Sequence, residues 1–273
     1  MEPTRRKLLV TGAIFGTVVV GSLLPTYCAM RQMGPKSKMA ENDSPKRPLG
    51  QPKPLLEEDI APVLARLDMW YAANLPQDQF AFNPPASEAD LDSFERRIGL
   101  KLPSAYRQLY RWHDGDKNDL FSGHVYGTPL LSLSDAAIQW KTWNDVLADF
   151  GGNRYEIAGG AWPEGAVDPA YINPRWVPLT NSDGNHIGLD FDPWPGGRVG
   201  QVILYGRDED VKVVLAESLG TFLNWVADLL DSGNFRVEPA TSGPPMRFGL
   251  KSPLTYDFLD GMRTLLGAPG PYL

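Results

Sequence analysis

Cysteine is nearly absent from this 273-residue chain. Cys28 is the only one, so neither an intrachain disulfide framework nor a thiolate metal site can form. Histidine is scarce too. His113, His124 and His186 have no second ligand at metal-binding spacing such as i, i+4. The glycine pairs Gly151-Gly152, Gly159-Gly160 and Gly196-Gly197 lack the Lys-Ser/Thr continuation of a phosphate-cradling loop. Neither a serine nor the cysteine stands in a nucleophile elbow. These absences argue against an enzyme, and no cofactor or metal is expected.

A basic excess is also missing. The net charge is −7, from 26 Lys/Arg against 33 Asp/Glu. The first 54 residues hold nine of the cations and three of the acids, so the remainder is strongly acidic, near −13. An acidic globular part repels nucleic acid, favours basic partners and aids solubility. What the chain does have is a 42% hydrophobic content with eight tryptophans, enough for an aromatic-rich core. Its 27 glycines and 25 prolines predict many loops.

Long apolar runs are limited to one. After Arg5, Arg6 and Lys7, residues 8–24 carry no charge and would span about 25 Å as a helix, the short limit for a bilayer. Residues 1–29 are therefore expected to be a transmembrane anchor, a cleaved export signal or, through Cys28, a lipid anchor. Tyr27 is bulky for the residue before a lipidated cysteine. The leading twin arginines favour a globular part outside the cytoplasm, tethered to the membrane through this segment only. Because Arg31, Lys36 and Lys38 nearly balance them, export after cleavage or a cytoplasmic-facing domain are the alternatives. Residues 30–54 are rich in Pro, Lys, Ser and Gly and read as a flexible linker.

Periodicity organises the rest. Ile60, Val63, Leu64, Leu67, Trp70 and Tyr71 mark a leading helix within residues 55–81, with Pro62 in its first turn. Ser87 and Asp90 open a second helix, carrying Leu91, Phe94 and Ile98 and ended by Gly99. Pro103 starts a third, with Tyr106, Leu109, Tyr110 and Trp112 as its apolar contacts. Residues 130–133 read as a short strand, followed by a helix capped by Ser134 or Asp135 that carries Ile138, Trp143, Val146 and Leu147. Residues 151–175 show no period and read as irregular loop. Four strands at hairpin spacing follow over 176–180, 186–192, 199–205 and 211–216, then a helix over 218–230. The tail, residues 233–273, reads as turns with a short helix near 256–265. The fold class is α+β: an antiparallel meander flanked by N-terminal helices and a C-terminal helix.

The segments ADLDSFERRIGLKLPSAYRQLYRW, WVPLTNSDGNHIGLDFDP, GRVGQVILY and VKVVLAESLGTFLNWV, in that order, resemble the signature of the SUKH superfamily. That is the fold of Smi/Knr cell-wall regulators and of many bacterial toxin-immunity proteins, and the resemblance covers residues 82–232. It implies a non-catalytic protein-binding domain, with no shared catalytic residues to carry over. The expected function is immunity, neutralising a basic toxin domain by direct binding. The alternative is a membrane-anchored adaptor or regulator of cell-wall or envelope synthesis. Two groups of acids beside aromatics are the candidate partner-binding residues: Asp114, Asp116, Asp119 and Phe121, then Asp190, Asp192 and Trp194. Asp190 and Asp192, two residues apart on one strand, are alternatively a cation or acid–base pair, or a carboxylate pair at a strand edge.

Overall fold

The computed structural model describes residues 44–117, 123–157, 159–239, 246–255 and 257–272. Residues 1–29, expected as anchor or signal, and most of the expected linker lie outside them.

Three helices form the N-terminal layer. Helix α1 (Ala61–Asn74) has Pro62 in its first turn and no side-chain cap; Gln108 instead accepts from the Ile60 amide at 2.9 Å and donates to Glu58 O. Helix α2 (Glu88–Ile98) starts with a full capping box, in which Ser87 and Asp90 satisfy each other's backbone amides. It ends at Gly99, whose φ of 69° is the left-handed conformation glycine adopts without strain. Helix α3 (Ser104–Trp112) follows Pro103 and buries Ala105, Tyr106, Leu109 and Tyr110.

Helix α4 (Leu133–Asp149) begins two to three residues earlier than its sequence suggests. Leu130 and Leu131 bond to the 179–180 backbone, but that bridge is too short to make a strand. The Ser132 hydroxyl then accepts from Asp135 N and caps the helix.

Strands β2 (Trp176–Pro178), β3 (Asn185–Asp190), β4 (Gln201–Gly206) and β5 (Glu209–Ala216) form the expected antiparallel meander. A further strand, β1 (Gly160–Trp162), pairs parallel to β5, so the sheet is mixed, in the order β1-β5-β4-β3-β2. Three residues carry no readable period, so only the free edge of β5 makes this segment a strand.

Both faces of the sheet are covered. Alternate side chains Val202 and Leu204 join the main core with the helices, while Ile203 and Tyr205 face a second small core built from Trp176, Ala166, Val167 and Ala170. The long 151–175 segment is thus the cover of the sheet's back. Helix α5 (Leu219–Asp231), capped by Ser218, packs on β4 and β5 and against α1.

The tail completes the main core. A hairpin, β6 (Arg236–Pro239) with β7 (Met246–Gly249), leads into α6 (Phe258–Leu266), whose amides are capped by Asp257. Phe248, Leu250, Phe258, Leu259 and Met262 are all buried in that core. Tyr126 stacks on both Phe248 and Phe258. At Gly127 a Cβ would sit 2.4 Å from Phe248 O, so only glycine permits this approach. Behind it, buried Arg263 pairs with Glu209 and donates to Val211 O and Pro269 O.

Candidate functional site

The back of the sheet carries the densest polar chemistry. Register places Asp190, the last residue of β3, opposite Trp176 on one side and Gln201 on the other. Its carboxylate accepts from Trp176 Nε1 at 3.1 Å, Gln201 Nε2 at 3.0 Å and the Asp192 amide at 2.9 Å. The side chain is fully buried, and that burial pushes its pKa up to about 7 against the pull of its donors.

Asp192 lies just outside. It receives Arg47 at 2.8 Å, Arg154 at 3.2 Å and Asn173 at 3.2 Å. Burial raises its pKa, but these bonds outweigh that and hold the carboxyl below the usual range. Arg154 reaches across to buried Asp168, which also takes Tyr155 Oη at 3.0 Å and the Ala170 amide. Burial pushes the Asp168 carboxyl up and, with that carboxylate beside it, takes Tyr155 to about 12.

Asn173 joins this network to an aromatic hollow. Trp140, Trp143 and Asn144 of α4 line it with Tyr171, Ile172, Trp176 and Tyr205, around a shallow cavity of about 10 Å³, room for about one water molecule. Both tryptophans are half-buried, and both indole N–H groups are held: Trp140 donates to Pro174 O at 2.8 Å and Trp143 to His186 Nε2 at 2.9 Å. His186 therefore carries its proton on Nδ1, donated to Thr180 O at 2.8 Å. Burial of the ring drops its pKa to about 4. Beneath the hollow, Lys212 is fully buried on β5, with its ammonium 5.5 Å from the Tyr171 ring centre. Burial lowers it to about 8.

His186 contributes an acid-sensitive share of stability here, opposite in sign to that of Asp190, whose raised pKa favours the folded state as pH falls. His186 binds its proton in the unfolded chain near pH 6.5 and in the folded chain only near pH 4, so stability is lost as pH falls through that window. The loss attributable to His186 should approach 3 kcal/mol by about pH 4. His186→Gln keeps an acceptor and a donor without a titrating ring and should lose less stability than wild type between pH 6.5 and 4 in urea unfolding at stepped pH. Parallel curves for the two proteins would show that His186 is not held neutral.

The candidate partner-binding residues are distributed unevenly. Asp114 is half-buried and accepts from Leu133 N at 2.7 Å, so it serves the start of α4. Asp116 is buried, bonded to His124 and to Leu130 N. Asp119 and Phe121 lie outside the described residues. Asp190 and Trp194 are both buried. The expectation of two exposed acidic–aromatic surfaces is thus corrected for Asp116, Asp190 and Trp194: each is enclosed by segments that its own loop does not predict. Asp190 and Asp192 also fail to form an open acid–base or cation pair, because protein donors occupy both. Among the described residues no group of three or more His, Cys, Asp and Glu could hold a metal ion.

Trp140, Tyr171, Arg154, Asp168, Lys212 and Arg47 are not singled out by sequence. For Trp140 the signal is its i, i+3 spacing from Trp143, which adds a second aromatic beside the core-facing stripe. The others lie in aperiodic segments or, as Lys212 does, inside a strand where a cation reads as exposed.

Fold and site together define a helix-flanked α+β domain whose sheet carries a buried polar network beside a shallow aromatic hollow. Residues 85–225 match the SMI1 / KNR4 family (SUKH-1), and the chain belongs to that family. It is 29% identical over 202 residues to the cell wall assembly regulator SMI1 of Saccharomyces cerevisiae, covering 62% of this chain and 40% of that protein. Identity to the cell wall biosynthesis/cell cycle regulator smi1 of Schizosaccharomyces pombe is 32% over 185 residues, covering 63% and 36%. The glucan synthesis regulatory protein of Neurospora crassa is 28% identical over 220 residues, covering 69% and 41%. The chain spans well under half the length of these relatives.

These relatives are named as regulators and not as enzymes or immunity proteins, which fits the alternative reading of the sequence better than toxin immunity. The membrane-anchored, extracytoplasmic placement is withdrawn. No helix among the described residues is long and apolar enough to cross a membrane, and the relatives are named for cell-wall regulation rather than for an anchor. The apolar run that suggested the placement lies outside the described residues.

Proposed function

We propose that this chain is a non-catalytic regulator of cell-wall synthesis that acts by binding a protein partner at the aromatic hollow. The observation that carries this reading is the hollow itself. Two half-buried tryptophans rim it over buried Tyr171, Asn173 links it to the Asp192–Arg154 pair, and aromatics and arginine dominate the energetics of protein interfaces. The acidic balance of the globular part favours a partner with a basic segment, mainly by speeding encounter. The names of the relatives support the cell-wall setting.

The test uses Asn144→Arg, which adds bulk at the mouth of the hollow and leaves both tryptophans in place. In a strain lacking the chain, wild type should restore resistance to wall-perturbing agents. The variant should fail and lose at least ten-fold of the co-purified partner, while melting within about 2 °C of wild type. Full rescue by a folded Asn144→Arg chain would remove the hollow from the function.

A further inference from the structure

The last part of the expected linker is not free. Arg47 donates to Asp192 Oδ1 at 2.8 Å and to Pro193 O. Lys53 N bonds Gly197 O at 2.9 Å and Lys53 O accepts from Val199 N at 3.0 Å, a parallel bridge to Arg198. Arg198 in turn donates to Pro54 O at 2.8 Å. Residues 47–54 therefore run as a strap along the 192–200 loop, bent at Leu49-Gly50, where Gly50 has φ +122°, and bridged to the loop at Lys53. Room for the strap's end is built into the loop: a Cβ at Gly200, where φ is +79°, would meet Leu55 Cδ1 at 2.5 Å.

What holds the strap is generic to one kind of peptide. Residues 44–54 read Ser-Pro-Lys-Arg-Pro-Leu-Gly-Gln-Pro-Lys-Pro, with four prolines, three cations and no acid. Leu49 is 100% exposed, so no apolar anchor sits at the strap's centre. The grip is a guanidinium on a carboxylate, plus main-chain hydrogen bonds to an extended backbone, as in strand addition. Proline pre-extends such a segment and lowers the entropy lost on docking. The Arg47–Asp192 pair is half-exposed, so it contributes only about 1 kcal/mol and the strap can be displaced.

We propose that the 192–200 loop is a docking surface for a basic, proline-rich extended segment of a partner protein, and that residues 47–54 occupy it as an intramolecular stand-in. This inference rests on the reading that the chain acts through a protein partner, and it names that partner's chemistry. The partner must then compete with a tethered segment whose effective concentration is of millimolar order. Opening the strap sets when binding occurs.

The experiment uses the full chain with Arg47→Ala and Lys53→Pro together, which removes both the guanidinium and the Lys53 N–H that hold the strap. The probe is a labelled synthetic peptide with the sequence of residues 44–55, followed by fluorescence anisotropy. It should bind the double variant at least ten-fold more tightly than wild type. Adding Asp192→Asn, or replacing the peptide's arginine by alanine, should each weaken binding about five-fold. No binding to the double variant at millimolar peptide, or affinity indifferent to Asp192→Asn, would overturn the proposal. Should the peptide fail while Asn144→Arg still abolishes partner co-purification, the strap inference falls and the hollow stands. A peptide that binds as expected alongside a fully rescuing Asn144→Arg supports the docking loop and removes the hollow.

Discussion

A chain ending at residue 232 should show no cooperative unfolding transition. The missing residues include Phe248, Leu250, Phe258, Leu259 and Met262, all buried in the main core. Truncating one such side chain to alanine costs about 2–5 kcal/mol, and a domain's whole stability is about 5–15 kcal/mol. Removing five together exceeds what remains. The deletion also strips the arginine from buried Glu209 and both stacking partners from Tyr126. A milder form of the same experiment is Arg263→Ala, which leaves Glu209 buried and unpaired and should cost about 3–5 kcal/mol in urea denaturation. A cooperative transition of the truncated chain with an undiminished urea dependence would show that the tail only decorates the core.

The second large effect is expected at Tyr106. Its side chain is fully buried on α3, with the Phe94 ring 6.1 Å away and the Tyr110 ring 4.7 Å away. Tyr106→Ala opens a cavity between α2 and α3 that neither helix can collapse, at a cost of about 3–5 kcal/mol. Tyr110→Phe is the companion measurement. It removes only the hydroxyl that donates to Leu131 O at 3.0 Å and should cost about 1 kcal/mol. Thermal and urea unfolding of both variants measure the two costs. A loss below about 0.5 kcal/mol for Tyr106→Ala would contradict the packing of α3.

Local signals accounted for much of the architecture. Ser87 with Asp90, Gly99, Pro103 and the 3.6-residue stripes placed α1 to α3 and α5 within a few residues, because caps and periodicity act over one or two turns. The turn residues between 181 and 210 likewise marked the meander. The site was far less legible. Asp116 and Asp190 sit beside turn residues and aromatics as exposed acids do, and nothing adjacent to them announces the His124 ring or the Gln201 amide that encloses them.

The sequence by itself determined the α+β class, the family resemblance, the helix starts and stops and the acidic balance of the globular part. Each depends on neighbouring residues or on composition. Tertiary structure alone decided that β1 joins the sheet, that the 151–175 segment covers its back and that the tail fills the main core. It also decided that Arg47 lies on Asp192, 145 residues away in the chain. Burial and charge pairing depend on which distant segments arrive at a residue, and chain order carries no local mark of that arrival.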